Sequence, residues 1–251
     1  MTTASAVRVE VRDEVWTVVL DRPARRNAVD RATAEALLDA FTRFEADPTA
    51  KVAVLWGAGG TFCAGADLKS IAEGAPNRVE PGAPGPLGPT RTRLSKPTIA
   101  AIAGHAVAGG LELALWCDLR VAEEDAIFGV FCRRWGVPLI DGGTVRLPRI
   151  VGLGRAMDLI LTGRPVGTVE ARSIGLVDRV VPIGESRAAA ETLARSIAAF
   201  PWECVLSDRA AVYEGLGLPE LDALAVEHAR GAATLASGGA ADVARFISGE
   251  R

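Results

Sequence analysis

Apolar residues fall in short blocks along this chain, separated by segments with helical spacing. Val15-Trp16-Thr17-Val18-Val19-Leu20 reads as a strand. Asp30 can cap the helix that follows, where Leu37, Leu38, Phe41 and Phe44 recur on one face. Val52-Ala53-Val54-Leu55-Trp56 is nearly all apolar, as a strand covered on both faces should be. Thr98-Ile99-Ala100-Ala101-Ile102-Ala103 reads as another strand, 113–118 as a helix, and Asp118-Leu119-Arg120-Val121-Ala122 as a return to strand. Strand and helix in alternation predict an α/β fold with a mostly parallel sheet and right-handed crossovers.

From Arg155 onward the pattern turns helical, with Met157, Leu159, Ile160 and Leu161 in one apolar segment. A short strand over 176–181 is closed by Pro182, and helices are expected over 186–199, 202–214 and 219–235. Residues 74–89 break the rhythm. Nine of these sixteen are Gly or Pro, which predicts an extended, mobile loop.

Composition narrows the function classes. With 251 residues, 49% hydrophobic and 24% charged, the chain can bury a sizeable core. A net charge of −3 argues against a general nucleic-acid binder. Neither a signal-peptide-like apolar run nor a membrane-length one occurs, so no membrane partner and a cytoplasmic location are expected. Cys63, Cys117, Cys132 and Cys204 are widely spaced, without a CxxC pair, and read as free thiols with no metal site. His105 and His228 lack metal or triad partners, and His105 is expected to be a satisfied core residue.

The densest chemistry lies at Gly109-Gly110-Leu111-Glu112, between the strand at 98–103 and the helix after it. Glycines at a strand-to-helix passage let backbone N–H groups approach a ligand. A glutamate in the first helical turn, among apolar neighbours, can be desolvated and tuned for proton transfer. About forty residues earlier, Thr61-Phe62-Cys63-Ala64-Gly65-Ala66-Asp67-Leu68-Lys69 follows the strand at 52–56.

In this order the two motifs closely resemble the crotonase family, the enoyl-CoA hydratase/isomerase superfamily. Asp21-Arg22-Pro23 with Arg26-Asn27-Ala28, Cys117-Asp118-Leu119-Arg120, and Gly142-Gly143-Thr144 with Leu147-Pro148-Arg149 extend the resemblance over roughly residues 7–210. It implies a crotonase-like spiral of ββα units over 1–185 and a helical C-terminal oligomerisation region over 186–251, assembling as a homotrimer or homohexamer. It implies an acyl-CoA thioester as substrate, with no permanently bound cofactor and coenzyme A arriving as part of that substrate. The backbone amides of Ala66 and Gly109 would form an oxyanion hole. Ala64, Asp67, Leu68 and Lys69 would border the adenine and pantetheine path, and Arg25 or Arg26 would meet a phosphate.

Glu112 matches one of the two glutamates that enoyl-CoA hydratases use. The second is expected shortly after Phe128-Gly129, where this chain has Val130-Phe131-Cys132. A thiol with a pKa of ~8.5 is a poor substitute base at neutral pH. Asp141 is either a compensating catalytic acid or, ahead of that, the cap of a helix starting at Gly142-Gly143-Thr144. Arg133 and Arg134 would pair with Asp141, bind a substrate carboxylate or face a neighbouring subunit. The reading is therefore an enoyl-CoA hydratase or isomerase. Its alternatives are an acyl-CoA-binding protein that has lost hydratase activity through Cys132 and, lower still, a hydrolase of a thioester or a β-diketone-like bond.

Overall fold

The structure, a computed structural model, describes residues 5–82, 84–239 and 247. Strands β1 (Val7–Arg12) and β2 (Val15–Leu20) form an antiparallel hairpin, and helix α1 (Arg31–Ala46) leads to β3 (Val52–Gly57) and α2 (Leu68–Ala72). Then come β4 (Thr98–Ile102), β5 (His105–Val107), α3 (Gly109–Trp116), β6 (Leu119–Glu123), β7 (Ile127–Gly129) and α4 (Gly143–Val151). The remainder is α5 (Leu153–Thr162), β8 (Val166–Gly167), α6 (Thr168–Ser173), β9 (Arg179–Val181), α7 (Ser186–Ala198), α8 (Trp202–Gly215) and α9 (Glu220–Thr234).

Six strands make one sheet in the order β1-β2-β3-β4-β6-β9, parallel everywhere except at the first pair. A second sheet holds β5-β7-β8. After each long strand the chain crosses to the second layer and then enters a helix: β3, residues around Cys63, α2; β4, β5, α3; β6, β7, and the turn at 131–135. Cys63 pairs in parallel with Ala106, and β5 with β7, so successive ββα units stack. The expected spiral is present.

Two apolar cores cover the two faces of the large sheet. On one, Leu37, Phe41 and Phe44 of α1 are fully buried with Leu55, Ile102 and Phe128. Truncating such a phenylalanine to alanine costs about 3–5 kcal/mol. On the other, Val52, Val54, Ile99 and Val121 pack on Ala190, Leu193, Ala194 and Ala198 of α7. The first helix after residue 185 thus closes the core, and a boundary at 185/186 cuts through packed structure. α8 and α9 add little to this packing: α9 buries no residue, and α8 buries only Ser207 and lays Trp202 against the second core.

Several expectations change. The helix read over 113–118 ends at Trp116, because Cys117 turns extended and Asp118 leaves the helix. The strand read over 176–181 shrinks to Arg179–Val181. His105 is solvent-exposed rather than a core residue. Residues 85–90 of the Gly/Pro-rich stretch are buried, and Leu87 joins the main core. Asn77 fixes this stretch by donating from Nδ2 to the carbonyls of Val29 (3.1 Å) and Pro86 (2.8 Å). A segment poor in regular hydrogen bonding is held by one buried amide side chain instead. Its earlier part, residues 74–76 and 78–82, matches the expected exposed loop.

Candidate active site

The stacked spiral explains how residues distant in sequence meet. Ala66 precedes α2 and Gly109 begins α3, so both occupy the same place in successive ββα units. The turns touch: a methyl group on Gly65 (φ +91°) would stand 2.7 Å from the Gly109 nitrogen. Ala108 has φ 54° and ψ −126°, a conformation L-residues rarely adopt, and it opens α3 without a side-chain cap. Such strain persists only where the surroundings impose it, and it clusters at functional sites. Among the described residues, no backbone carbonyl accepts from the amides of Ala66 or Gly109.

Glu112 lies one turn into α3 and is 3% exposed. Its Oε1 accepts from the backbone nitrogens of Asp141 (2.9 Å) and Gly143 (2.8 Å). Among the described residues Oε2 has no protein partner. Burial pushes the carboxyl up to about 7, helped by the neighbouring Asp141 charge and opposed by the Gly143 hydrogen bond. A carboxyl poised near neutrality both takes and returns protons. Gly143 packs closely here, since a Cβ there would press to 3.0 Å on the Glu112 Cγ and Oε1.

Cys132 occupies the single-turn segment after β7 and is buried. Burial raises its thiol pKa and the Glu112 charge raises it further, so the thiol stays protonated at neutral pH. Arg133 and Arg134 do not pair with Asp141. Arg133 donates to the Ile160 carbonyl (3.2 Å), and Arg134 to that of Gly163 (2.8 Å) while stacking 4.0 Å from the Phe131 ring centre.

Asp141 is not the cap of α4: Gly142 holds that position with φ 100°, and no side chain caps the helix. The Asp141 carboxylate turns to the buried 85–90 segment, where Oδ1 accepts from the Leu87 nitrogen (3.0 Å) and the Thr90 hydroxyl. Burial raises its pKa, with those two hydrogen bonds opposing. Leu87 in turn lies on Gly109, whose added Cβ would overlap its Cδ1. Sequence reasoning missed Leu87, Thr90 and the two loop amides on Glu112. The Gly142-Gly143 pair was the available signal.

The residues assigned to a coenzyme path divide. Arg25 and Arg26 are exposed beside the second-layer crossing, where the Ala64 nitrogen donates to the Arg26 carbonyl (3.1 Å). Leu68 and Lys69 lie exposed on α2. Asp67 faces inward: it is 4% exposed, caps α2 through the nitrogens of Lys69 (3.1 Å) and Ser70 (3.5 Å), and pairs with Arg22 (3.2 Å). Arg22 also pairs with Asp30 at 2.7 Å. Asn27 takes a hydrogen bond from the Arg22 nitrogen and donates to the carbonyls of Ala58 and Thr61. The Asp21-Arg22-Pro23 and Arg26-Asn27-Ala28 motif therefore braces the Ala66 turn from beneath. Cys63, with burial raising its thiol to about 12, belongs to the same brace through its contact with the Gly65 nitrogen (3.4 Å).

Among the described residues no group of His, Cys, Asp or Glu is arranged to hold a metal, and no helix is long and apolar enough to cross a membrane. A cavity of about 690 Å³ lies at the C-terminal end of α3, but Ala66, Gly109 and Glu112 do not line it.

Comparison with known proteins shows the family. Residues 10–216 match the model of the enoyl-CoA hydratase/isomerase family. An enoyl-CoA hydratase of Mycobacterium tuberculosis is 37% identical over 226 residues, covering 87% of this chain and 84% of that protein. A carnitinyl-CoA dehydratase of Proteus mirabilis is 38% identical over 197 residues, 78% of this chain and 75% of that protein. The crystal structure of an enoyl-CoA hydratase from Mycobacterium tuberculosis superposes with a TM-score of 0.92 at 35% identity, covering 99% of this chain and 97% of that one.

Proposed function

The chain belongs to the enoyl-CoA hydratase/isomerase family, and on that footing we propose that it transforms an acyl-CoA thioester through an enolate-like state. The observation that carries this reading is the meeting of two open amides with one buried carboxyl tuned to about 7. The amides of Ala66 and Gly109 receive the thioester oxygen as it gains charge. Each fixed donor of this kind contributes about 3–4 kcal/mol to the transition state. Glu112 Oε2 moves the proton, while Oε1 remains clamped by Asp141 and Gly143. Coenzyme A enters with the substrate past Ala64, with Arg26, Leu68 and Lys69 at the solvent side. Asp67 contributes by shaping α2 rather than by touching the coenzyme.

The protonated Cys132 thiol, at the position where the resemblance expects the second glutamate, favours a reaction that one carboxyl can complete, such as a 1,3-proton shift. A binding protein without hydratase activity is the second reading, and the same thiol favours it. A panel of enoyl-CoA thioesters, read by mass spectrometry for added water and by enoyl thioester absorbance for the position of the double bond, separates these outcomes. Hydration adds one water, isomerisation leaves the mass unchanged while moving the double bond, and a pure binder leaves every thioester unaltered. Cys132→Glu should raise crotonyl-CoA hydration, followed by loss of enoyl thioester absorbance, because a second carboxylate can orient the water. No gain would remove Cys132 from the water site.

Assembly into a trimer or hexamer belongs to the same reading. The α8–α9 hairpin leaves Val212, Leu221 and Leu224 half or more exposed, and light scattering at micromolar concentration tests whether a partner copy covers them.

A further inference from the structure

We propose that Asp141 is a positioning residue that couples the proton-transfer group to the oxyanion turn, its backbone holding Glu112 and its side chain holding Leu87 against Gly109. The inference rests on the roles just given to Glu112, Ala66 and Gly109.

The two halves of Asp141 face different partners. Its nitrogen donates to Glu112 Oε1 at 2.9 Å, and its Oδ1 accepts from the Leu87 nitrogen at 3.0 Å and from the Thr90 hydroxyl. Leu87 is 1% exposed and reaches the Gly109 backbone, where the open amide begins α3. Arg146 locks the arrangement by donating to the carbonyls of Asp141 (2.9 Å) and Thr90 (2.6 Å). One rigid unit therefore spans the base, the loop and the oxyanion turn. Both side-chain bonds fall on a single acceptor oxygen, which an asparagine can reproduce. A proton-transfer role could not survive that replacement. Asp141, Arg146 and Cys132 are the charged or titratable groups facing Glu112. Removing the Asp141 charge should therefore move the pH limb set by Glu112 to lower pH.

The test compares Asp141→Ala, Asp141→Asn, Thr90→Val and Glu112→Gln on the best thioester from the panel. Asp141→Ala should lower kcat about 10–100-fold, the scale of a small misplacement of reacting groups, with KM little changed. Thr90→Val removes one of the two bonds without touching Asp141, and should lower kcat in the same direction by less. It keeps the test intact if the alanine variant fails to fold. Asp141→Asn should keep most of kcat and shift the pH limb downward. A merely structural residue would lower the folded fraction in Asp141→Ala and Thr90→Val and leave kcat per folded molecule in place. Loss in Asp141→Asn as deep as in Glu112→Gln would overturn the proposal, because Asp141 would then carry a proton itself. Wild-type kcat in both Asp141→Ala and Thr90→Val, with Glu112→Gln inactive, would overturn the proposal alone. Full activity of Glu112→Gln would overturn the underlying reading.

Discussion

The two ends of α3 are built on opposite electrostatic principles. At the C-terminal end, Asp118 accepts from the Thr98 nitrogen (2.8 Å), pairs with Arg209 (3.0 Å) and takes the Tyr213 hydroxyl (2.6 Å). Arg120 there donates to the Cys117 carbonyl (3.0 Å) and pairs with Asp178 (2.9 Å). At the N-terminal end, among the described residues, a buried carboxyl meets no cation by direct hydrogen bond, one of its oxygens is free, and two amides stand open. Matched charge makes architecture, whereas unmatched charge held in place makes a site. The cavity of about 690 Å³ belongs to the matched end, so volume alone points away from the chemistry.

Gly65→Ala is expected to have the largest effect on this contrast. The methyl would meet the Gly109 nitrogen at 2.7 Å in a backbone conformation suited to glycine. A loss of about 10²–10³-fold in kcat should follow, the cost of losing one oxyanion donor. Near-wild-type turnover would show that the contact between the two turns is dispensable.

Glu112 offers a second test, in stability. Its carboxyl is raised from 4.5 to about 7 by burial, so the folded state holds the proton more tightly than the unfolded chain. The stability from this group is full below about pH 4.5 and is lost as pH rises through about 7. Glu112→Gln keeps the acceptor oxygen and removes the titration. It should gain about 2–3 kcal/mol over the wild type between pH 5 and pH 8, read by denaturant unfolding. A pH-independent difference would mean that Glu112 is not desolvated. Arg209→Ala should do the least: it should cost about 1–2 kcal/mol, between exposed and buried pairs, and leave kcat unchanged. A marked fall in kcat would break the division between the two ends.

What the sequence made legible follows the same division. Glu112 and the glycine turns were readable because their backbone demands small residues, and small residues leave a visible pattern. The rhythm of long strands and helices, from β2 through α3 to α8, was readable from apolar periodicity. β5, β7 and β8 are two or three residues long, too short for any period to emerge. β1 alternates strictly from Val7 to Arg12 and carries its own signal, although Val11 stays 54% exposed. Asp141 was singled out for its side chain, yet it holds Glu112 through its backbone N–H, and every residue except proline has one. Leu87 was hidden in a stretch whose Gly and Pro content suggested open loop. The buried Asn77 within that stretch, and the Asp141 carboxylate from far away in sequence, organise it.

The central claim is that Glu112 moves a proton at the α-carbon of a thioester whose oxygen sits at Ala66 and Gly109. Exchange of that α-proton with solvent measures this step directly, whether the full reaction is hydration or isomerisation. A saturated acyl-CoA is incubated with the protein in deuterated water, and incorporation is followed by mass spectrometry. The wild type should incorporate deuterium. Glu112→Gln should be slower by about 10²–10⁴-fold, while acyl-CoA binding by calorimetry stays intact. Equal exchange in the two proteins, or exchange in neither while the wild type turns over an enoyl thioester, would contradict the account.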